Sequence, residues 1–434
     1  MKRDIYQQLL EWKSSPRRKP LLLQGARQTG KTYILKEFGK REYQKCHYFN
    51  FEKDPLINSF FERNLDPHRI LSELSIYFKT KIQPKEDLII FDEIQSSNKA
   101  LNSLKYFEEQ ANDFHIAAAG SLLGVKMSLP GSFPVGKVNF LQLYPLTFFE
   151  FLDALKQSSY REFLENIDHV GNIPQAFHEE LISLLRKYYF VGGMPEAVKY
   201  HVQTEALTAI QDIHTEIIKS YVLDFAKHAP SSDIPKLSLI WDSIPSHLAK
   251  ENKKFIFSAV KQGARGREYE NALKWLEDAG LVYRICSVEN SQLPLKSYAN
   301  LQCFKIYALD IGLLGALAGV SQDILSRGNQ LFDQYHGALT ENYVLQQLTQ
   351  RDKELYYWRS HGSEAEVDFL FEIKGQIYPL EVKAGINPRS KSLRSYNEKF
   401  SPDRLFRTTL LNLKEDGKIC NIPLYAVSLI SNFV

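Results

Sequence analysis

The residues from Gly25 to Thr32 have the types and spacing of a phosphate-binding loop. They read G-A-R-Q-T-G-K-T, which fits the pattern G-x-x-x-x-G-K-[ST]. Its glycines let backbone N–H groups turn toward a phosphate, and the following helix directs its positive end at the same anion. We expect Lys31 to reach the β- and γ-phosphates of a nucleotide and Thr32 to bind Mg²⁺. The predicted nucleotide-binding set is the whole loop: Gly25, Ala26, Arg27, Gln28, Thr29, Gly30, Lys31 and Thr32.

A pair of acids, Asp92 and Glu93, ends the apolar run "DLIIFDE". An acid at the tip of such a strand can hold the water shell of Mg²⁺, so Asp92 is the predicted metal residue. Glu93 beside it is the predicted general base for an attacking water. Ser121 ends the next apolar run, "FHIAAAGS", and is predicted to sense the γ-phosphate or to position water. The alternative is an ordinary helix start and a solvated strand end, which would require both motifs to coincide by chance.

Hydrolysis at such a site commonly needs a further cation, supplied by the same chain or by a neighbour. Two candidates lie in the sequence: Arg27 inside the loop and Lys137 in "PVGKV". Each is equally compatible with an ordinary solvent-facing residue, so the sequence leaves the source of this cation open.

A second group of charged residues lies near the C-terminus, in "VDFLFEIKGQIYPLEVK". Glu381 and Lys383 are two residues apart on a predicted strand and therefore share a face, and Asp368 on the adjacent strand can meet them. Glu341 on a preceding predicted helix adds another carboxylate. We expect Glu341, Asp368 and Glu381 to bind Mg²⁺ and Lys383 to position water or stabilise a phosphorane. The alternative is a surface hairpin whose Glu381 and Lys383 are solvated partners.

The elements that would position the first site alternate between strands and helices over residues 1 to about 150. The strand-like runs are "PLLLQG", "CHYFNFE", "DLIIFDE" and "FHIAAAGS". This alternation predicts βαβ units and a parallel sheet, and runs such as "LIIF" suit strands covered on both faces. The following residues, to about Lys227, are helical and aromatic-rich in pattern, with a glycine-proline turn in "GGMPEAV".

The stretch from Asp233 to Ile285 predicts three short helices followed by a strand, the order of a winged helix. Its basic residues could contact a DNA backbone, although acids are interleaved among them. Packing or protein docking explains the stretch as well, so both interpretations stay open. The basic residues are Lys250, Lys253, Lys254, Lys261, Arg265 and Arg267.

Composition places few limits on function. The chain has 434 residues, a formal net charge of +3 and 44% hydrophobic residues, which is typical of a multidomain globular protein. The four cysteines are scattered and predict neither a disulfide framework nor a zinc site. No apolar run is long enough for a membrane span, and no apolar stretch follows the basic N-terminus. We therefore expect a cytoplasmic protein without a membrane partner.

Several segments together resemble the bacterial and archaeal AAA-type ATPases that are fused to a C-terminal domain of unknown function. They are "LLLQGARQTGKTYILKEF", "DLIIFDEIQ", "IAAAGSLLG", "LYPLTFFEFL" and "GGMPEAV". The resemblance implies ATP and Mg²⁺ at Lys31, Thr32, Asp92 and Glu93. Lys137 stands where such proteins more often carry arginine. The C-terminal acids with Lys383 resemble the PD-(D/E)xK nuclease constellation.

The expected fold class is α/β: a P-loop NTPase parallel sheet of the additional-strand type with a helical lid, a winged-helix-like domain and a restriction-endonuclease-like α/β domain. The expected boundaries are 1–155 for the ATPase core, 156–230 for the helical region, 231–290 for the winged helix and 291–434 for the nuclease-like part. The predicted function is a Mg²⁺-dependent ATPase coupled to a DNA-associated or nuclease-like module. The alternative is a nucleotide-dependent switch with a catalytically dead C-terminal domain. DNA and further copies of the chain are possible partners.

Overall fold

A computed structural model describes residues 1–120, 136–250, 252–320, 336–350, 354–360, 365–385 and 390–434. The chain divides into two compact units. The first unit contains Lys2–Tyr144 and Asp278–Gly280, and the second contains Pro145–Glu277 and Leu281–Val434, with Met1. The first boundary therefore falls at Tyr144 rather than at the expected residue 155.

The first unit is built on a parallel sheet of five strands. Their order is β2-β3-β4-β1-β5, so β4 lies between β1 and β3, as the additional-strand type requires. All four pairings are parallel, which confirms the sheet expected from the sequence. The strands are β1 Leu21–Gln24, β2 Lys45–Asn50, β3 Asp87–Asp92, β4 His115–Ala119 and β5 Asn139–Gln142.

Helices cover both faces of this sheet, which explains the uninterrupted apolar strands. Leu22 and Phe91 face one apolar cluster with residues of α3 and α4. Leu21 and Ile90 face another with residues of α1 and α2. Successive strand residues thus point to opposite faces and both are buried. The helices are α1 Ile5–Ser14, α2 Lys31–Glu42, α3 Pro67–Tyr77 and α4 Asn98–Gln110.

After Tyr144 the chain is mainly helical for more than a hundred residues, as expected for the region 156–230. The helix α5 begins with a capping box, in which Thr147 and Glu150 each bond the other's backbone N–H. The helices of this region are α5 Phe148–Ala154, α6 Ser158–Glu165, α7 Gln175–Val191, α8 Pro195–Thr204, α9 Ile210–His228, α10 Ile234–Leu248, α11 Phe257–Val260 and α12 Gly266–Asp278. Among the later residues that the structure describes, three more follow: α13 Ile311–Leu317, α14 His336–Thr349 and α15 Lys391–Phe400.

The second unit also contains a mixed sheet of eight strands in the order β12-β13-β11-β10-β9-β8-β6-β7. The strand expected to form the wing, β6, pairs with β7 and β8 inside this sheet instead of forming a small sheet of its own. The expected boundary at residue 290 therefore cuts through one continuous sheet. The strands are β6 Val282–Val288, β7 Ala299–Ala308, β8 Tyr356–Arg359, β9 Glu366–Ile373, β10 Gln376–Val382, β11 Leu405–Thr409, β12 Lys414–Asp416 and β13 Ile419–Pro423.

The expected hairpin of β9 and β10 is present. The two strands are antiparallel, with Leu380 opposite Phe369. Lys374 and Gly375 at the turn have φ values of 51° and 77°, as a two-residue turn that follows the twist of the strands requires.

None of the helices in these described ranges is long and apolar enough to cross a membrane.

A buried carboxylate ties the "GGMPEAV" turn to the rest of the second unit. Asp310 accepts hydrogen bonds from Gly193 N at 2.7 Å, from Gln346 Nε2 at 2.9 Å and from Leu313 N at 3.1 Å, where it caps α13. If Gly193 N moved away, the buried carboxylate of Asp310 would lose one of its hydrogen-bond donors. Gly193 O in turn accepts a hydrogen bond from Leu146 N at 2.7 Å.

We predict that Gly193→Ala destabilises the second unit by about 2–3 kcal/mol, because the new Cβ would lie 2.2 Å from the carbonyl oxygen of Leu146. Gly171→Ala is the control, since its Cβ would meet only ordinary contacts at 3.5 Å. Urea denaturation followed by circular dichroism compares the two variants with the unsubstituted protein. Equal midpoints for both variants would contradict the prediction.

Candidate functional site

The predicted phosphate-binding loop joins β1 to α2 and has the backbone that the sequence pattern requires. Gly30, which directly precedes α2, has a φ of 95°, a left-handed conformation that favours glycine. A Cβ on Gly25 would lie 2.3 Å from the carbonyl oxygen of Leu143. Thr29 is fully buried, and its Oγ1 donates to the carbonyl oxygen of Ala26 at 2.9 Å. The loop therefore has little freedom to carry other side chains at its two glycines.

Lys31 begins α2 and lies inside the loop. Its Nζ donates to the carbonyl oxygens of Gly25 at 3.0 Å and Ala26 at 2.8 Å, and only 9% of the residue is exposed. Burial lowers the pKa of Lys31 to about 8, although the carboxylates of Glu93 and Asp92 oppose the shift. The ammonium is thus held among loop carbonyls, next to two acids, where an anionic phosphate would be its natural counter-ion.

The two residues of the first unit that are predicted to bind Mg²⁺ contact each other directly. Thr32 Oγ1 donates a hydrogen bond to Asp92 Oδ2 at 2.9 Å. The same carboxylate oxygen accepts from Tyr48 Oη at 2.6 Å and from Asn50 Nδ2 at 3.4 Å. Asp92 is only 3% exposed, so these donors satisfy a charge that water barely reaches. The hydroxyl and carboxylate together form an oxygen donor set that suits Mg²⁺.

Glu93 directly follows β3 in a strained backbone conformation. Its φ of 52° is in the left-handed region, which non-glycine residues rarely adopt and which is enriched at functional sites. Gln95 Nε2 donates to Glu93 Oε2. Gln95 Oε1 is buried without a hydrogen-bond partner among the described residues. The carboxylate of Glu93 is therefore held by a neighbouring amide rather than left to rotate freely.

Four contributors to this site were not predicted from the sequence: Tyr48, Asn50, Gln95 and Arg3. Tyr48 and Asn50 lie at the end of β2, and a signal for them existed, because carboxyl ends of parallel strands meet at one edge of a sheet. Arg3 donates to the carbonyl oxygens of Thr29 at 3.1 Å and Tyr144 at 2.6 Å. No local pattern marks an arginine that supports a loop 26 residues further along the chain.

The two candidate cations lie in different places in the structure. Arg27 is part of the phosphate loop, and its charge adds to the effect of burial in lowering the pKa of Lys31. Lys137 instead pairs with Glu108 at 2.9 Å and Glu109 at 3.1 Å. Lys137 lies two residues before Asn139, which pairs with Leu21, the first residue of β1. Lys137 is therefore at the amino ends of the parallel strands, whereas the phosphate loop of the same chain follows the carboxyl end of β1. Ser121 lies outside the described residues, and its predicted role stays a prediction.

The predicted C-terminal residues share one face of the hairpin in the second unit. The register of β9 and β10 places Asp368 and Glu381 opposite each other, one pair beyond Leu380 and Phe369. Asp368 Oδ2 accepts from Val382 N at 2.7 Å, and Glu381 Oε1 pairs with Lys383 Nζ at 2.7 Å. Burial, followed by repulsion from Glu341 and Glu381, raises the pKa of Asp368 well above its usual range.

Glu341 on α14 joins this cluster but is already surrounded by cations. It pairs with Lys253 and, at 3.7 Å, with Lys305, and it accepts from Tyr307 Oη at 3.0 Å. Burial alone would raise its pKa, but these partners lower the pKa of Glu341 to about 2. Lys305 also pairs with Glu366 at 2.6 Å. Lys253 and Lys305 were not predicted as members of the site.

The acids of this cluster have suitable oxygens for Mg²⁺, yet their arrangement is not that of a formed metal site. Glu381 is 3% exposed, and its Oε2 has no hydrogen-bond partner within the described ranges. Across the same ranges, no group of three or more His, Cys, Asp or Glu side chains is placed to hold a metal ion. The donor chemistry fits a cation, while lysines already neutralise part of the charge.

The comparison with family models divides the chain into three matched segments. Residues 17–152 match the model of an AAA domain. Residues 182–324 and 336–426 match two domains of unknown function, DUF8612 and DUF4143. Most of the first unit therefore lies in the segment that matches an AAA domain. Glu341, Asp368, Glu381 and Lys383 all lie in the segment that matches DUF4143.

Solved structures with partial similarity include a Walker-type ATPase of Pyrococcus abyssi, with 15% identity and a TM-score of 0.45, covering 73% of this chain and 95% of the other. The Orc1 protein of Aeropyrum pernix, solved in complex with DNA, has 14% identity and a TM-score of 0.29, with coverages of 74% and 92%. The RuvB Holliday junction branch migration motor of Thermotoga maritima has 14% identity and a TM-score of 0.30, with coverages of 64% and 85%. No curated protein matches the chain.

We predict that ATP affinity is highest below pH 8 and falls above it by up to about tenfold per pH unit. The ammonium of Lys31 is the form that pairs with phosphate, and burial lowers its pKa to about 8, so binding at higher pH must first add a proton. Isothermal titration calorimetry between pH 7 and 9.5 measures this dependence. Lys31→Arg is the control, because arginine stays protonated throughout the range and removes the slope. An unchanged affinity at pH 9.5 in the unsubstituted protein would refute the assignment.

Proposed function

We propose that the first unit binds Mg²⁺–ATP and hydrolyses it to ADP and phosphate. The observation that carries this proposal is the hydrogen bond of 2.9 Å between Thr32 Oγ1 and Asp92 Oδ2. It joins the hydroxyl and the carboxylate that would share one Mg²⁺ ion, although the two residues belong to separate motifs. The AAA-domain match over residues 17–152 supports the same conclusion.

Each residue of the loop then has a defined task. The backbone N–H groups of the loop and the N-terminal end of α2 hold the phosphates, and Lys31 turns its ammonium from the loop carbonyls to the β- and γ-phosphates. Thr32 and Asp92 would hold Mg²⁺. When bound, the ion neutralises phosphate charge and fixes the phosphates for in-line attack.

Glu93 acts as the general base in this proposal. Its carboxylate accepts a proton from the attacking water, and Gln95 orients the carboxylate through the amide that already contacts it. Ser121 is the proposed γ-phosphate sensor. Arg27 is the nearer cation in its own chain, whereas Lys137 could act only on a neighbouring copy, so the proposal includes a homo-oligomer as one source of the missing charge.

A second candidate function concerns the hairpin of the second unit, where Asp368, Glu381 and Lys383 share one face. This arrangement favours Mg²⁺-dependent cleavage of a phosphodiester, with the carboxylates as metal ligands and Lys383 beside the reacting phosphate. DNA is the proposed substrate, and the exposed Lys261 and Arg267 are available for its backbone. The alternative is a catalytically dead scaffold in a nucleotide-dependent switch.

We expect Lys31→Ala to abolish ATP binding, because it removes the cation that pairs with the phosphates. Glu93→Gln should retain ATP binding and lose about 10²–10⁴-fold in turnover, because glutamine cannot accept the proton. Phosphate release and calorimetric binding measure the two effects separately. Glu86→Gln is the matched control: the same change just before β3, on an exposed residue at the other end of the strand. Wild-type turnover by Glu93→Gln would contradict the role of Glu93 as the base. ATP binding without any hydrolysis by the unsubstituted protein would instead favour the switch.

Plasmid DNA tests the second candidate. With millimolar Mn²⁺ or Mg²⁺ we expect slow nicking that is lost in Asp368→Asn and in Lys383→Ala, because each removes a group from the shared face. Glu372→Gln, an exposed acid on the same strand, should nick like the unsubstituted protein. Intact plasmid with every metal would instead identify the second unit as a scaffold.

A further inference from the structure

The cations around Glu341 come from two different kinds of structure. Lys305 lies within β7 and is 1% exposed, so the sheet holds it in place. Lys253 lies between α10 and α11, in a stretch that is neither helix nor strand, and its side chain is 15% exposed. The ion pair of Lys253 with Glu341 is therefore the one that local movement of the backbone can break.

The position of Lys253 next to α14 depends on the carboxylates. A Cβ on Gly337 would lie 3.6 Å from Lys253 Nζ, which places the ammonium beside the first turn of the helix. The amino end of a helix carries partial positive charge and disfavours a cation. The attraction that keeps Lys253 there must therefore come from Glu341 and the acids behind it.

The remaining acids have only part of the positive charge that they need. Glu381 pairs through Oε1 with Lys383, whereas its buried Oε2 has no hydrogen-bond partner in the described part of the chain. Asp368 lies opposite Glu381 in the hairpin, and its Oδ2 accepts from the backbone N–H of Val382 at 2.7 Å. Buried carboxylates that lie together with too few cations favour the binding of a hard cation with oxygen ligands.

We propose that Lys253 is a built-in counter-ion that takes the place of a divalent cation beside Glu341 and so keeps this carboxylate cluster metal-free in the resting protein. The inference rests on the proposed metal role of Glu341, Asp368 and Glu381 and is independent of ATP hydrolysis in the first unit. An ammonium and a divalent cation compete for the same oxygens, and their mutual repulsion in a poorly hydrated site prevents both from binding together.

The test is a calorimetric titration of the nucleotide-free, full-length protein with Mn²⁺. Lys253→Met should bind one more Mn²⁺ ion than the unsubstituted protein, or bind it at least about tenfold more tightly, because it removes the competing charge and keeps most of the side-chain length. Lys253→Arg keeps the charge and should behave as the unsubstituted protein does. Lys296→Met, the same change on an exposed lysine of the second unit, should also leave binding unchanged.

Two further measurements identify the ligands and the folded state. Adding Glu341→Gln to Lys253→Met should remove the extra Mn²⁺ ion, because it removes a carboxylate ligand. Mn²⁺ should raise the melting temperature of Lys253→Met more than that of the unsubstituted protein, since a ligand stabilises the folded form in proportion to how tightly it binds. This second readout also shows whether Lys253→Met is folded.

The outcomes separate the two ideas. If the unsubstituted protein and Lys253→Met bind Mn²⁺ with equal number and affinity, Lys253 does not exclude the metal, although the cluster remains a metal site. If neither folded protein binds Mn²⁺ at the cluster, the metal role fails and the inference fails with it. ATP hydrolysis and its loss in Glu93→Gln are measured separately and are unaffected by either result.

Discussion

The cost of burying a carboxylate governs both parts of this protein. A charge that leaves water must find donors or counter-ions within the fold, because the desolvation is otherwise too expensive. Asp92 is satisfied by three neutral donors, from Thr32, Tyr48 and Asn50. Glu341 is satisfied mainly by the charges of Lys253 and Lys305. The position of each supporting element follows from this requirement.

The two solutions have different chemical consequences. Neutral hydroxyl and amide donors leave the negative charge of Asp92 in place, so a cation can still be attracted to it. Lysines cancel the charge of Glu341, so the site is stable without any added ion. Similar buried carboxylates can thus be open to a metal in one unit and already neutralised in the other. The number of acidic residues alone does not show whether a carboxylate is open to a metal or already neutralised.

Much of the first unit could be predicted because its signals are local. The loop from Gly25 to Thr32 and the acids at the end of β3 are contiguous in sequence, and parallel strands necessarily bring their carboxyl ends to one edge. Arg3 could not be predicted, since its contacts join distant residues without a pattern. Lys305 could not be predicted either, because a lysine in a strand usually faces solvent, whereas this one is buried against acids from two other elements.

The place of β6 in the larger sheet could not be predicted, for a similar physical reason, and the winged helix stays a prediction. A strand after three helices has the same local pattern whether it forms a small sheet or joins a larger one, and only its partners decide. Those partners, β7 and β8, follow later in the chain, and the pairing of β6 with β8 involves residues about seventy positions apart. The hairpin of β9 and β10, by contrast, has its own turn and could be predicted.

Because β6 is an interior strand, the two segments that match separate domains of unknown function are mechanically one piece. β6 and β7 come from residues 182–324, and β8 to β13 come from residues 336–426, yet they share one hydrogen-bonded sheet. Neither segment is a portable module, since cutting between them would separate β6 from β8 and expose the facing edges of both strands to solvent and to other chains. A gene fusion or a truncation designed at that sequence boundary would thus produce an aggregation-prone fragment rather than a domain.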